Sequence, residues 1–329
     1  MIPPSSVERP LLSIILPVFN EQDVIPELHR RLTEFLGELS EIAGRWEVIF
    51  VDDGSQDESP RLLDALAEMD PRFRVVHFAR NFGHQVAITA GLDRAEGDAV
   101  VVMDADLQDP PEVVKAMLAE WRRGFDVVYG VRSKRSGETL FKRATAALFY
   151  RLMNAALGVK IPSDAGDFRL LSRPVVLTLR SLREKHRFMR GLVAWVGFRQ
   201  TAVRYERPER FAGETKYPLR KMVHFALDGV TSFSTAPLRI ATWIGALTGL
   251  AAVAVGAWAL YIRLFTDRTV PGWTTIMLLI ALSSSGQMLM LGLLGEYVGR
   301  LYEEIKQRPL YVVANESSRA RFKPPDSTE

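Results

Sequence analysis

Two uncharged stretches near the end of the chain constrain its folding more than any other feature. Ile240 to Ile262 is 23 residues without a charge and Val270 to Gly295 is another 26, while nothing before Pro237 has a comparable run. About 20 apolar residues span a bilayer, and helices of globular proteins average far shorter. Only Arg263 to Thr269 separates the runs, so the pattern reads as a membrane hairpin rather than a pair of buried core helices. Trp243, Trp258, Tyr261, Trp273 and Tyr297 lie toward the run ends, where amphipathic rings prefer the headgroup layer. Arg220, Lys221 and Arg239 before the hairpin and Arg300, Lys306 and Arg308 after it outnumber Arg263 and Arg268 between the runs. The positive-inside bias therefore predicts a two-span protein of the inner (plasma) membrane with both termini and the large N-terminal portion in the cytoplasm.

The rest of the chain has no extreme composition. Forty-two Lys+Arg against 39 Asp+Glu leave a formal charge of +3, which is no nucleic-acid signature. Cysteine is absent, excluding disulfides, thiol nucleophiles and thiolate metal sites. The expected organisation is a loose tail over 1–10, a main domain over 11–219, an amphipathic interfacial segment over 220–237, the hairpin over 238–297 and a C-terminal tail over 298–329. The polar sequence from Asn315 onward, with Pro324 and Pro325, predicts disorder there.

Within the main domain, β-branched runs recur at Leu11 to Phe19, Trp46 to Val51, Phe73 to Phe78, Ala99 to Met103 and Phe125 to Val131. Several are followed by helical patterns such as Val24 to Ile42 or Pro111 to Arg122. This alternation predicts an α/β domain with a parallel sheet, whose ligands bind beyond the carboxyl ends of the strands. Asn20 and Glu21, Asp52 and Asp53, Arg80 and Asn81, Asp104 and Asp106, and Arg132 follow the five runs in turn. No G-x-G-x-x-G follows the first run and no P-loop motif occurs, so dinucleotide dehydrogenases and P-loop NTPases lose their main support.

Asp104-Ala105-Asp106 leaves its strand directly, and carboxylates at i and i+2 on extended backbone point to the same side. Such a pair suits Mg²⁺ or Mn²⁺, which keep coordination positions open for diphosphate oxygens; the competing reading is a capped helix start. Asp52-Asp53-Gly54-Ser55 likewise has two readings: turn and N-cap chemistry, or a carboxylate, Asp53 in particular, that accepts hydrogen bonds from a nucleotide base or ribose. Pro17 to Glu21 ends beside the same edge. The five histidines offer no metal-ligand spacing; His84 and Gln85 have either a helix-start role or an approach to a bound donor.

Pro17-Val18-Phe19-Asn20-Glu21, Val51-Asp52-Asp53-Gly54-Ser55, Arg80-Asn81-Phe82-Gly83-His84-Gln85, Asp104-Ala105-Asp106-Leu107-Gln108-Asp109 and Gly166-Asp167-Phe168-Arg169, followed by two spans and Gly295-Glu296-Tyr297-Val298-Gly299-Arg300, resemble a family 2 glycosyltransferase. The resemblance covers roughly Leu11 to Tyr311 and is narrowest to the polyprenyl-phosphate glycosyltransferases, meaning bactoprenol glucosyltransferases and dolichol-phosphate mannose synthases. It implies a GT-A (Rossmann-like) domain that moves a sugar from a nucleotide diphosphate to a lipid phosphate with inversion. It further implies Asp104, Asp106 and Gln108 as metal ligands, Pro17, Asn20, Glu21, Asp53 and Asp104 as nucleotide contacts, and Asp167, with Asp106, as catalytic. The stretch His186 to Gly191 leans toward UDP-glucose, with GDP-mannose or a modified UDP-sugar as alternatives.

The acceptor's chemistry sets a charge requirement. A phosphate monoester is mostly dianionic at pH 7, so its nucleophilic oxygen arrives deprotonated and a strong base is unnecessary. Cations must instead bring two anions together. Arg132, Lys134, Arg135, Lys142 and Arg143 face only Glu138 in one segment, and Arg204, Arg207, Arg210 and Lys216 form a second group. From these, Arg132, Arg143, Arg207, Arg210 and Lys216 are the acceptor-phosphate candidates, against a reading as a solvated face or an attraction to anionic headgroups. A rival of another class is a membrane-tethered nucleotide-binding scaffold without turnover. Glycines at 245, 249, 256, 286 and 292 permit close helix packing and predict a homo-oligomer. Arg210→Ala is expected to raise the KM for lipid phosphate far more than that for nucleotide sugar in a detergent assay, and an unchanged acceptor dependence would refute its assignment.

Overall fold

The computed structural model describes residues 10–43, 45–132, 165–206, 236–265 and 272–317. Residues 1–9 of the expected tail over 1–10, most of the segment over 220–237, and the candidates Arg143, Arg207, Arg210 and Lys216 lie outside these described residues. The chain divides into two compact units, one holding the sheet and its helices, the other the two long apolar helices.

In the first unit β1 (Leu11–Val18), α1 (Ile25–Ala43), β2 (Arg45–Asp52), α2 (Ser59–Met69), β3 (Phe73–Phe78), α3 (His84–Arg94), β4 (Ala99–Val102), α4 (Val113–Arg122) and β5 (Val127–Arg132) alternate as the periodicity predicts, with strand bounds within two residues of the expected runs. They are followed by β6 (Ala165–Ser172), α5 (Arg173–Ser181), α6 (Met189–Trp195) and β7 (Gln200–Tyr205). The second unit holds α7 (Ala236–Phe265) and α8 (Trp273–Ile305), after which β8 (Val313–Glu316) returns to the first.

The eight strands make one sheet in the order β7-β5-β6-β4-β1-β2-β3-β8. The parallel sheet expected from the sequence is in fact mixed. β3, β2, β1 and β4 run parallel, but β6 is inserted antiparallel between β4 and β5, and β8 pairs antiparallel with β3. Because β4 and β5 are both antiparallel to β6, they share a direction, and the start of β6 stands at the edge where β1 to β5 end. Gly166 and Asp167 enter the strand-end cluster by this reversal.

The expectation of disorder from Asn315 is overturned for residues 315–317 by β8, while residues 318–329 lie outside the described residues. Asn315 pairs with His77 and Glu316 with Val76, while the Val75 amide donates to Ser317 Oγ at 2.9 Å. Its polar composition is that of an edge strand, where charged and polar side chains discourage pairing with other chains.

Apolar residues of β1 and β2 point to both faces because both are covered. Leu12, Ile14 and Leu16 pack with Leu28, Leu32 and Phe35 of α1 in the main core, while Ile15, Ile49 and Val51 are equally buried. Burial of each such side chain stabilises by roughly 1.5–3 kcal/mol. Helix α3 lies on β1 and β2. Its last turn is held by Arg173 Nη1 and Arg180 Nη2, each donating to Ala95 O at 2.5 Å, so its N-terminus is aimed at the strand ends. A Cβ on Gly91 would fall 2.2 Å from Ile15 Cγ2, which is the reason α3 can lie so close.

In the second unit, Pro237–Ile262 is, among the described residues, the one stretch long and apolar enough to cross a membrane. Its large side chains stand exposed, Trp243 at 76% and Leu247 at 70%, which suits lipid and not a protein core. Helix α8 has 33 residues and continues past the second apolar run through Glu296, Arg300 and Glu303.

Gly91→Ala forces α3 off the sheet and is expected to destabilise the first unit by about 1–3 kcal/mol, read as a lowered midpoint in thermal unfolding of the detergent-solubilised chain. An unchanged midpoint would count against this packing.

Candidate functional site

The loops after β1 and β2 are tied together before any ligand is considered. Asn20 adopts φ +55°, its amide donates to Ser55 Oγ at 2.9 Å, and its own Oδ1 accepts from the Gln56 amide at 2.8 Å. The Glu21 amide donates to Ser59 Oγ at 2.9 Å. Gly54, at φ +72°, lies so near the β3 exit that a Cβ would sit 2.5 Å from the Arg80 carbonyl carbon; only glycine permits that approach.

The two aspartates of this turn have different work. Asp52 is 2% exposed and takes the structural reading: its Oδ1 accepts from the Ser55 amide and its Oδ2 lies 2.8 Å from His77 Nδ1. Burial opposes its charge, but the His77 and Ser55 bonds outweigh that and lower its pKa. His77, with Asp64 3.1 Å from its Nε2, is raised by the Asp52 bond despite burial. Asp53 Oδ1 accepts from the Phe82 amide at 2.7 Å and Oδ2 from the Gly83 amide at 2.9 Å, holding the β3 exit loop. Burial nevertheless raises its pKa, the amides opposing.

Pro17, Glu21, Asp53, His84, Asp104 and Asp106 line one cavity of about 310 Å³. Asn20 and Gln108 are not among its walls. Gln108 meets Asp106 through its backbone, its amide donating to Asp106 Oδ1 at 3.1 Å, next to Leu107 at φ +61°. This brings the β1, β2 and β4 exits and the start of α3 to one space. A second cavity of about 510 Å³ shares Phe19 and Asn81 with it.

Carboxylates crowd one end of the cleft. The Asp104 amide approaches Asp109 Oδ2 at 3.4 Å, and Asp109 Oδ1 accepts the Tyr205 hydroxyl proton at 2.7 Å. Arg132 pairs with the same tyrosine across the β5–β7 ladder, which places this acceptor candidate beside β7. His84 Nε2 bridges Asp104 Oδ1 at 3.4 Å and Asp167 Oδ2 at 3.7 Å. Asp167 also receives Arg190 Nε at 3.0 Å, Arg190 Nη2 at 3.2 Å and Gln85 Nε2 at 3.3 Å, while Gln85 Oε1 accepts from the Met189 amide.

The resulting electrostatics differ by residue. Burial alone would raise the Asp167 pKa, but the His84 bond and the Arg190 and Arg169 guanidinium groups hold it far below the usual carboxylate range. Asp104 is pushed up, first by burial and then by the Asp109 charge, with Asp167 and Asp106 adding and His84 opposing. Its Oδ1 has no hydrogen-bond donor among the described residues. Burial disfavours charge on His84, yet the Asp167 bond and the two carboxylates prevail and raise it. Among the described residues no three His or carboxylate groups form a ready-made metal cage. A carboxylate oxygen that accepts no hydrogen bond, with three further carboxylates and one imidazole around it, fits a hard divalent cation that takes one or two protein carboxylates and completes its shell with substrate phosphates.

Sequence reasoning did not find Arg190, Asp109 or Tyr205, and left His84 and Gln85 open. No local signal marks Arg190 as the partner of a residue 23 positions away; Asp109 was legible only as part of a helix start, and Tyr205 carried no signal that singled it out.

Residues 13–179 match the family described as Glycosyl transferase family 2, and residues 236–301 match the GtrB C-terminal hairpin. An uncharacterized glycosyltransferase of Bacillus subtilis is 50% identical over 301 residues, 92% of each chain. A prophage bactoprenol glucosyl transferase homolog of Escherichia coli K12 is 42% identical over 302 residues, 92% of this chain and 98% of that one. A bactoprenol glucosyl transferase of Shigella phage SfV is 41% identical over 308 residues, 94% and 99% of the two chains.

A carboxylate whose pKa is depressed in the fold contributes stability that is complete above its unfolded value near 3.9 and is lost as pH falls through its folded value. In the native chain the Asp167 contribution is thus lost only in strong acid. Arg190→Ala is expected to cost roughly 1–3 kcal/mol at neutral pH and to move the acid limb of thermal stability to higher pH. A stability–pH profile that keeps its native shape would refute the pairing.

Proposed function

The chain belongs to glycosyl transferase family 2 and is a glycosyltransferase; from that premise we propose that it transfers glucose from UDP-glucose to a polyprenyl phosphate at the cytoplasmic face of the inner membrane. The observation that carries this reading is Asp104: a half-buried carboxylate at a sheet rim whose Oδ1 accepts no hydrogen bond from the described residues, among three further aspartates, lining a cleft shared with Asp53. The bactoprenol glucosyl transferases among its relatives and the matched hairpin support the lipid acceptor.

Asp104 and Asp106, with Gln108, would hold Mg²⁺ or Mn²⁺. When bound, that cation neutralises charge on the departing nucleoside diphosphate. Pro17, Glu21 and Asp53 line the nucleoside end, and Asp53 works there by fixing the Phe82 and Gly83 amides. Asn20 serves by tying the β1 loop to Ser55 and Gln56. The acceptor phosphate is already ionised, so Asp167, with its low proton affinity, acts as a fixed anion that orients Arg190 and Gln85 and accepts sugar hydroxyl protons in hydrogen bonds. Arg132, together with the basic residues 143, 207, 210 and 216, draws the second anion to the first. Two spans anchor the domain beside its lipid substrate, with the termini cytoplasmic and the chains associated as homo-oligomers.

Purified full chain with undecaprenyl phosphate and a panel of UDP- and GDP-sugars is expected to yield a hexosyl lipid, detected by mass, with UDP-glucose preferred. Asp104→Asn, Asp106→Asn or chelation should lower turnover by at least about a hundredfold. Turnover that survives all three removes the metal-assisted mechanism; metal-independent nucleotide binding with no lipid product would favour a scaffold instead.

A further inference from the structure

The chain that follows α8 does more than close the sheet. Tyr311, just before β8, stacks on Phe78 at the end of β3, with ring centroids 5.0 Å apart and planes at 18°. Its hydroxyl donates to Asp93 Oδ2 at 2.8 Å and accepts from Arg94 Nη1 at 3.0 Å, so the ring is anchored to the last turn of α3. The next residue ties the same exit by backbone, the Ala79 amide donating to Val312 O at 2.9 Å. Phe78 meets Phe82 edge to face at 5.6 Å, and Phe82 carries the Arg80 guanidinium 4.0 Å over its ring. The Phe82 amide is the donor that Asp53 holds at 2.7 Å. Asn315 of β8 lines the larger cavity with Arg80 and Asn81, and Asn81 also lines the donor cleft.

A continuous packed path therefore runs from Tyr311 through Phe78 and Phe82 to Asp53. Nothing on the β3 exit loop itself fixes it so firmly: Arg80 and Asn81 are exposed, and Gly83 adopts φ +99°. We propose that Tyr311 is a positioning residue for the donor, and that the C-terminal strand holds the 79–83 loop in its nucleotide-binding form. This rests on reading the Asp53 cleft as the donor site. Tyr311 touches no substrate; it acts by raising the fraction of chains whose loop is already arranged, which enters directly into apparent affinity. Stacking at this geometry and the two hydroxyl bonds are the interactions lost on truncation.

The test uses the full chain in detergent, with UDP as probe, and GDP as a second probe, in calorimetric titrations with Mg²⁺ and with Mn²⁺ present. Tyr311→Ala is expected to weaken binding about tenfold and to raise the nucleotide-sugar KM in parallel, leaving kcat at saturating donor and the lipid-phosphate KM near native. Tyr311→Phe keeps the ring and is expected to restore affinity to within about threefold of native. If Tyr311→Ala does not accumulate as folded protein, Tyr311→Leu removes the stacked ring at similar bulk and should show the same donor-only loss. Native UDP affinity in the Ala or Leu variant overturns the proposal, as does an equal loss toward donor and acceptor, which marks a merely structural role. Asp53→Ala separates the two layers. If it binds UDP or GDP as the native chain does, the donor-site reading itself falls; if it loses affinity while Tyr311→Ala does not, only the positioning role falls.

Discussion

Like charge held together is the constraint to which this site answers. Asp104, Asp106 and Asp109 leave one strand within six residues, and the reversed strand β6 adds Asp167. Carboxylates so placed repel one another unless each finds a counter-charge or a donor. The chain supplies these from different elements: Tyr205 of β7 for Asp109, Arg190 of α6 and Gln85 of α3 for Asp167, and His84 between Asp167 and Asp104. Asp104 is the member left short. Burial and the neighbouring carboxylate charges raise its pKa, and its Oδ1 accepts no hydrogen bond from the described residues, having the His84 imidazole 3.4 Å away as counter-charge.

The neighbouring nucleoside end is arranged on another principle. There the ties are hydrogen bonds between loops: Asn20 to Ser55 and Gln56, Glu21 to Ser59, Asp53 to Phe82 and Gly83. Three strand exits are thereby fixed against one another, which is what preorganisation requires of a binding surface. Fixed charge at one end and tied loops at the other suit a reaction that moves little protonic charge but must bring two phosphate-bearing molecules together.

Much of this was legible in the residue order. Runs such as Ile14 to Leu16 and Val48 to Val51 are apolar throughout because both sheet faces are covered, so their strands stood out, and the polar residues following them marked the site. Asp53, Asp104 and Asp106 follow the ends of β2 and β4, as the residue order has them, and line one cavity. The Asp52 carboxylate, by contrast, is spent on His77 and Ser55, which the local pattern of turn residues permitted but did not single out. Asn315 and Glu316 of β8 read as disorder because an edge strand lacks the apolar face that periodicity detects; the strand is held by backbone pairing with β3 and by Tyr311 and Glu316.

By itself, then, the residue order determined the strands β1 to β5, the apolar character of the two long helices, and which of those strand ends carry acids, since these depend on local periodicity and on neighbours a few residues apart. The tertiary structure alone decided that β6 runs backward between β4 and β5, that Asp167 consequently meets His84 and Arg190, and that β8 closes the β3 edge. Strand direction and partner are chosen by backbone hydrogen bonds and burial shared among residues tens to hundreds of positions apart, and no local pattern of side chains records that choice.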